Sequence, residues 1–188
     1  NWMLESTSMV VSALPFENFG DEDLPKALII PYRQLTYATV VVLFDKNGKA
    51  VVPPFKASRD DAKSLGREYV SAQEMVGFSQ SVPVEAALET GFAVGPLYLS
   101  DKGSPRVVIA KSVTSGRSEP WVLAIGISLD KICDVAKEVT GEGRLGSLLD
   151  SQGHTICGST DGNLKKDSNI KDISALEMNQ VTDYKQGK

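Results

Sequence analysis

Apolar and polar positions change period several times along this chain, and each change marks an element. Residues 36–52 carry an apolar, β-branched run, Val40-Val41-Val42-Leu43-Phe44. It breaks at Asp45-Lys46-Asn47-Gly48 and resumes at Ala50-Val51-Val52. β-branched side chains fit a pleated, buried surface, and Asn-Gly favours the φ > 0 turn between antiparallel strands. A β-hairpin is predicted, ended by Pro53-Pro54. Three further strands are predicted at Ala93–Leu99, Arg106–Val113 and Trp121–Ile127, with short turns at Ser100–Gly103 and Thr114–Arg117 that require antiparallel pairing. The last has apolar residues on both faces, which places it at the centre of a sheet covered on both sides.

Helical patterns fill the intervals. Met3, Val10, Val11 and Leu14 predict a helix over residues 1–14, and Pro15–Asp23 reads as a loop. Asp23 is a candidate cap and Pro25 a first-turn residue of a helix over 24–34, which Pro31 is expected to kink or stop early. Ser58–Leu88 is helical in pattern, with Ser58 as N-cap and interruptions expected at Gly66, Gly77 and Pro83; Thr90-Gly91 ends it. Ser128 is expected to cap a helix to Val139 with Leu129, Ile132, Cys133, Ala136 and Val139 on one stripe. The polar stretch 158–188 predicts at most a short helix or two over 170–181.

The hairpin device recurs 105 positions later, at Leu148-Leu149-Asp150-Ser151-Gln152-Gly153-His154-Thr155-Ile156-Cys157. Leu43 matches Leu148, Asp45 matches Asp150, Gly48 matches Gly153 and Val51 matches Ile156. The chain therefore reads as an internal repeat. Copy one has a helix, two strands, a helical excursion and three strands. Copy two stops after its first two strands and an excursion, as expected of a truncated chain or of a second half that leans on the first.

Composition narrows the function. The chain has 188 residues, 41% hydrophobic and 23% charged, the balance of a globular protein. A net charge of −4 gives no electrostatic footprint for nucleic acid. With one histidine and two cysteines, a metal site would have to be built mostly from carboxylates. No apolar run of about 18 residues is present, and residues 1–14 do not have the plan of a signal peptide. The first residue is Asn, and the chain is expected to be a piece of something longer. Cys133 and Cys157 can form a disulfide in an extracytoplasmic compartment or remain buried thiols.

The order of two strands, a helical segment and three strands behind an N-terminal helix is that of a PAS-like fold. The stretches Pro83-Val84-Glu85-Ala86-Ala87-Leu88-Glu89-Thr90-Gly91, Tyr98, Pro105–Ala110 and Trp121–Leu129 resemble the double-Cache family, the PAS-like extracytoplasmic sensor domains of bacterial transmembrane receptors. The Leu149-Asp150-x-x-Gly153 turn resembles the start of that family's membrane-proximal half. The resemblance covers roughly residues 1–180. It implies an α+β fold: an antiparallel five-stranded sheet with flanking helices, a long N-terminal helix, and a second, incomplete PAS-like half. The expected division is 1–35 (N-terminal helical segment), 36–127 (membrane-distal domain) and 128–188 (membrane-proximal half). It further implies transmembrane helices on either side of this chain, a small-molecule ligand held between sheet and excursion, and an effector of histidine kinase, chemoreceptor, cyclase or phosphatase type. The subfamily that binds amino acids or amines does so through an Arg-x-Trp pair in the excursion and an Asp after the second of the three strands. Neither is present, and Thr114-Ser115-Gly116 stands at the latter position.

Five residues are candidates for the ligand site. Lys111 shares a strand face with apolar Val107, Ile109 and Val113, so it reads either as a pocket cation for an anionic ligand such as a carboxylate, or as a lysine whose stem lies on the core while its head reaches water. Tyr98 is a pocket aromatic or a half-buried strand residue. Tyr69, Glu74 and Phe78 lie on the excursion, read as helix-face pairs Tyr69–Gln73 and Glu74–Phe78. His154 follows a turn and reads as solvent-exposed, and Trp121 reads as core. An enzyme is not expected: Ser128-x-x-Lys131 and Ser168-x-x-Lys171 lack the Ser-Asp-Asn and Lys-Thr-Gly partners that give Ser-x-x-Lys a meaning, and Gly-x-Ser-x-Gly, P-loop and His-Glu-x-x-His patterns are absent. No cofactor is implied. The alternative to a sensor is a ligand-free structural module that dimerises through its N-terminal helix.

Overall fold

The computed structural model describes residues 6, 7, 9, 10, 12–14, 16–113, 119–139, 147–149 and 155–158. The chain divides into two compact units, Asn1–Lys131 and Ile132–Lys188. Among the described residues no helix is long and apolar enough to cross a membrane. The expected turn at 114–117, His154 and the 170–181 helix lie outside the described residues.

The first unit is built on an antiparallel sheet of five strands: β1 (Ala38–Phe44), β2 (Phe92–Val94), β3 (Tyr98–Leu99), β4 (Pro105–Val113) and β5 (Trp121–Ser128). The order is β1-β5-β4-β2, with β3 also paired to β4. β5 is central and buried from Trp121 to Ile127, as its two apolar faces require. Val41 opposes Ile125 and Leu43 opposes Leu123 on one side of it; Ile109 opposes Ile125 on the other.

Two predicted strands are broken. Past the first turn, chain pairing reduces to isolated bridges, Phe44 with Ala50 and Val41 with Phe55, because Pro53 and Pro54 have no N–H to donate. The turn itself is as expected: the Asp45 carboxylate accepts from the Asn47 and Lys49 amides at 2.9 Å each, and Gly48 has φ 75°. The strand expected over 93–99 is split into β2 and β3 by Gly95-Pro96. At Gly95 the backbone passes so close to the Ser81 carbonyl that a Cβ would lie 1.9 Å from its oxygen.

The excursion holds three helices, Arg59–Ser64, Ala72–Gln80 and Val84–Thr90. The Ser58 hydroxyl caps the first, accepting from the Asp61 amide at 3.1 Å. The Ser71 hydroxyl caps the second, accepting from Glu74 at 3.0 Å. Gly77 does not interrupt this second helix. It lets the helix approach β3, since a Cβ there would meet the Tyr98 ring at 3.3 Å. The predicted 24–34 helix is two, Leu24–Ala27 and Ile29–Gln34, with the break before Pro31; the proline sits in a first turn, where its missing N–H is no loss. Asp23 does not cap but pairs with Lys26 at 3.0 Å.

The sheet has two buried faces. Val40, Val42, Phe44, Val108, Ala110, Val122 and Ala124 pack with Tyr98, Phe78 and Ala87 beneath the excursion. On the opposite face Val41, Leu43, Ile109, Leu123, Ile125 and Ile127 are all buried. The N-terminal segment reaches this second face through Ser12, and the described residues between 6 and 12 are helical.

Within the second unit β6 (Ser147–Leu149) pairs antiparallel with β7 (Thr155–Gly158), on either side of the expected second turn, which lies outside the described residues. The helix Asp130–Val139 enters this unit and carries Cys133, which is disulfide-bonded to Cys157 with Cα atoms 5.5 Å apart.

Candidate functional site

Alternation along β4 decides which face each residue serves. Arg106 falls in phase with Val108 and Ala110, on the excursion face. Lys111 falls in phase with Ile109, on the other. A guanidinium placed at an apolar face must be paired, and Arg106, wholly shielded from solvent, is paired three times. Its Nη1 donates to Asp130 at 2.9 Å and to the Ser128 hydroxyl at 2.6 Å. Its Nη2 meets Glu68, and its Nε lies 3.4 Å from Glu74. Ser128 in turn donates to Asp130 at 2.6 Å and accepts the Asp130 amide at 3.3 Å, so its expected capping role is shared with Arg106. On the outer side Lys102 meets Glu68 at 3.3 Å.

The charges perturb one another. Burial opposes the charge on Arg106, yet Asp130, Glu68 and Glu74 together hold its pKa above the usual value. Burial also pushes Asp130 up, but hydrogen bonds from Ser128 and Arg106 and the cation's charge bring it below the ordinary carboxylate range. At Glu74 burial wins and the pKa is raised despite Arg106. A carboxyl raised in the fold stabilises it most when protonated, so Glu74's contribution is full below about pH 4.5 and fades as pH rises through the higher folded value. Asp130 has the opposite sign: its contribution holds above pH 3.8 and is lost as pH falls through the lowered value. Glu74→Gln is therefore expected to raise stability at pH 7 relative to pH 5. Urea midpoints at the two pH values check this, and an equal change at both would show that folding does not raise the Glu74 pKa.

A cavity of about 190 Å³ opens beside this network. Its sheet side presents Thr39, Arg106 and Ser128, its excursion side Arg67 and Glu68, and its floor Asp130 and Lys131. This is room for several waters or one small metabolite. Arg67 stacks on the Tyr32 ring at 4.3 Å, and its Nη1 donates to the carbonyls of Tyr32 and Ala38. Carbonyls satisfy donors without adding negative charge, and no carboxylate pairs with Arg67 among the described residues. Those residues also contain no cluster able to hold a metal ion.

Of the five residues singled out from sequence, three come together. Phe78 and Tyr98 stack edge to face at 6.4 Å beneath the excursion, and Glu74, one turn before Phe78, reaches Arg106. The Tyr98 hydroxyl is buried near Thr39, with no hydrogen bond of good geometry among the described residues, in a space that exists because residue 126 is glycine. Burial, with the Glu74 charge, raises its pKa. Tyr69 precedes the helix rather than lying on it, so it forms no helical pair with Gln73. It is exposed, and Lys56 and Arg59 lie 4.9 and 5.2 Å from its ring centre. Lys111 is on the opposite sheet face, where its ammonium meets the Ser12 hydroxyl. Sequence reasoning passed over Arg106 and Arg67. The alternation that singled out Lys111 applies equally to Arg106. Arg67-Glu68-Tyr69 is the excursion's nearest approach to an Arg-x-Trp.

No family model matches the chain, and no curated protein matches it in sequence. Solved structures do match in fold. The ligand-binding domain of the Pseudomonas aeruginosa PAO1 amino acid chemoreceptor PctC, in complex with GABA, aligns over 96% of this chain and 78% of its own, with a TM-score of 0.61 and 14% identity. That of PctB from the same organism, in complex with L-Gln, aligns over 90% and 66%, with a TM-score of 0.57 and 15% identity. A domain of a putative sensory box/GGDEF family protein from Vibrio parahaemolyticus aligns over 87% and 70%, with a TM-score of 0.51 and 11% identity. The chain has the fold of bacterial ligand-binding sensory domains, the fold that the double-Cache resemblance implies.

Proposed function

We propose that this chain is the extracytoplasmic small-molecule-sensing domain of a bacterial signalling receptor, and that its ligand is a small carboxylate held in the cavity between sheet and excursion. The observation that carries this reading is the cavity itself, placed beside buried charges in a fold shared with ligand-binding sensory domains. Arg67 is the cation suited to the carboxylate, because its guanidinium is positioned by carbonyls and has no carboxylate partner among the described residues. The Cys133–Cys157 disulfide supports an oxidising compartment. Lys111 is not needed at this site.

A thermal-shift screen of the purified domain against small carboxylates tests the proposal. At 100 times its dissociation constant, a ligand stabilises the folded state by about 2.7 kcal/mol. The shift should disappear in Arg67→Ala and persist in Lys111→Ala. A screen without hits on well-folded protein removes the sensing role, and a hit lost in Lys111→Ala moves the site to the other face of the sheet.

A further inference from the structure

We infer that Arg106 is a positioning residue that couples the excursion to the helix leaving the first unit. Its carboxylate partners come from three separate segments. Glu68 lies in the stretch after the Arg59–Ser64 helix, Glu74 in the Ala72–Gln80 helix, and Asp130 is the first residue of the Asp130–Val139 helix. A guanidinium is a rigid planar fork, so its three carboxylates cannot move independently of it. Shifting one changes both the angle and the charge offered to the others.

The placement gives this clamp a use. Glu68, Arg106 and Asp130 all line the cavity, so a carboxylate held there by Arg67 lies beside Glu68, and repulsion between the two draws Glu68 away from the cation that fixes the start of the exit helix. Asp130 has a further hold on its position through Ser128, whose hydroxyl also takes an Arg106 hydrogen bond. The helix that begins at Asp130 carries Cys133, which is disulfide-bonded to Cys157. A ligand shifts an equilibrium only by binding one arrangement better than another. Glu68 paired with Arg106 and Glu68 drawn away from it are two such arrangements.

The inference rests on the cavity being the ligand site, but its test needs no ligand. Hydrogen exchange followed by mass spectrometry is compared between the unaltered protein, Glu68→Gln and Asp130→Asn. Glu68→Gln keeps the side chain's shape and weakens the ion pair. It is expected to speed exchange about five-fold in residues 130–139, remote in sequence from the substitution. Coupling is reciprocal, so Asp130→Asn is expected to speed exchange in residues 66–75. Lys102→Gln, which touches Glu68 from the solvent side, should leave residues 130–139 unchanged. Changes confined to each substitution's own segment overturn the coupling. A blank ligand screen with coupled exchange removes the sensing reading and leaves the clamp, whereas a ligand hit with uncoupled exchange does the reverse.

Discussion

Arg106→Met is expected to remove about 3–5 kcal/mol of folding stability. Methionine matches the arginine stem in apolar volume, so the loss is not one of packing. It arises from the carboxylates left behind. Glu74 is only 3% exposed and would face the apolar sheet with no cation. Glu68 and Asp130 reach partial solvent and can relax, so most of the effect is assigned to Glu74. That assignment has its own consequence: adding Glu74→Gln to Arg106→Met should recover part of the loss, because a neutral amide is cheaper to bury than an unpaired carboxylate. Urea unfolding of the two variants measures both effects. A loss below about 1 kcal/mol for Arg106→Met would mean that desolvation of the guanidinium nearly cancels its attraction to all three carboxylates.

Reduction of the Cys133–Cys157 disulfide is the second large effect. The bridge spans a sequence separation of 24, and closing a loop of that length restricts the unfolded chain by an entropy worth about 3.5 kcal/mol. The second unit is a short stretch, Ile132–Lys188, and small units bury too little apolar surface to make up such a loss. With reductant, or in the Cys133→Ser, Cys157→Ser pair, exchange at residues 147–149 and 155–158 is expected to rise by two orders of magnitude or more. Unchanged protection there would show that the hairpin is held by its own pairing and packing rather than by the crosslink.

The features legible in the sequence are those set by neighbours along the chain. Alternation and β-branching marked β1, β4 and β5 because strand geometry repeats every two residues. The Asp45–Gly48 turn and the Ser58 cap depend on contacts no more than four residues away. Misreadings fall where a distant atom overrides the local rule. Gly77 looks like a helix breaker until the Tyr98 ring is seen against it, and Gly95 looks like an ordinary strand residue until the Ser81 carbonyl is found at its back. The second strand expected of the first hairpin does not form, because Pro53-Pro54 does more than end it: it reduces the pairing around it to single bridges.

The candidate site divides in the same way. Phase along β4 was available from sequence for both Lys111 and Arg106. Which phase faced the excursion was not, because that depends on how the helices cross back over the sheet. The sequence by itself determined β1, β4 and β5, the Ser58 cap, the Asp45–Gly48 turn and the fold class, since hydrophobic periodicity and turn chemistry are local. Only the tertiary structure decided that Glu68, Glu74 and Asp130, from 24 to 38 residues away, close on one guanidinium. A buried charge selects its partners by distance in space, and sequence separation carries no record of that distance.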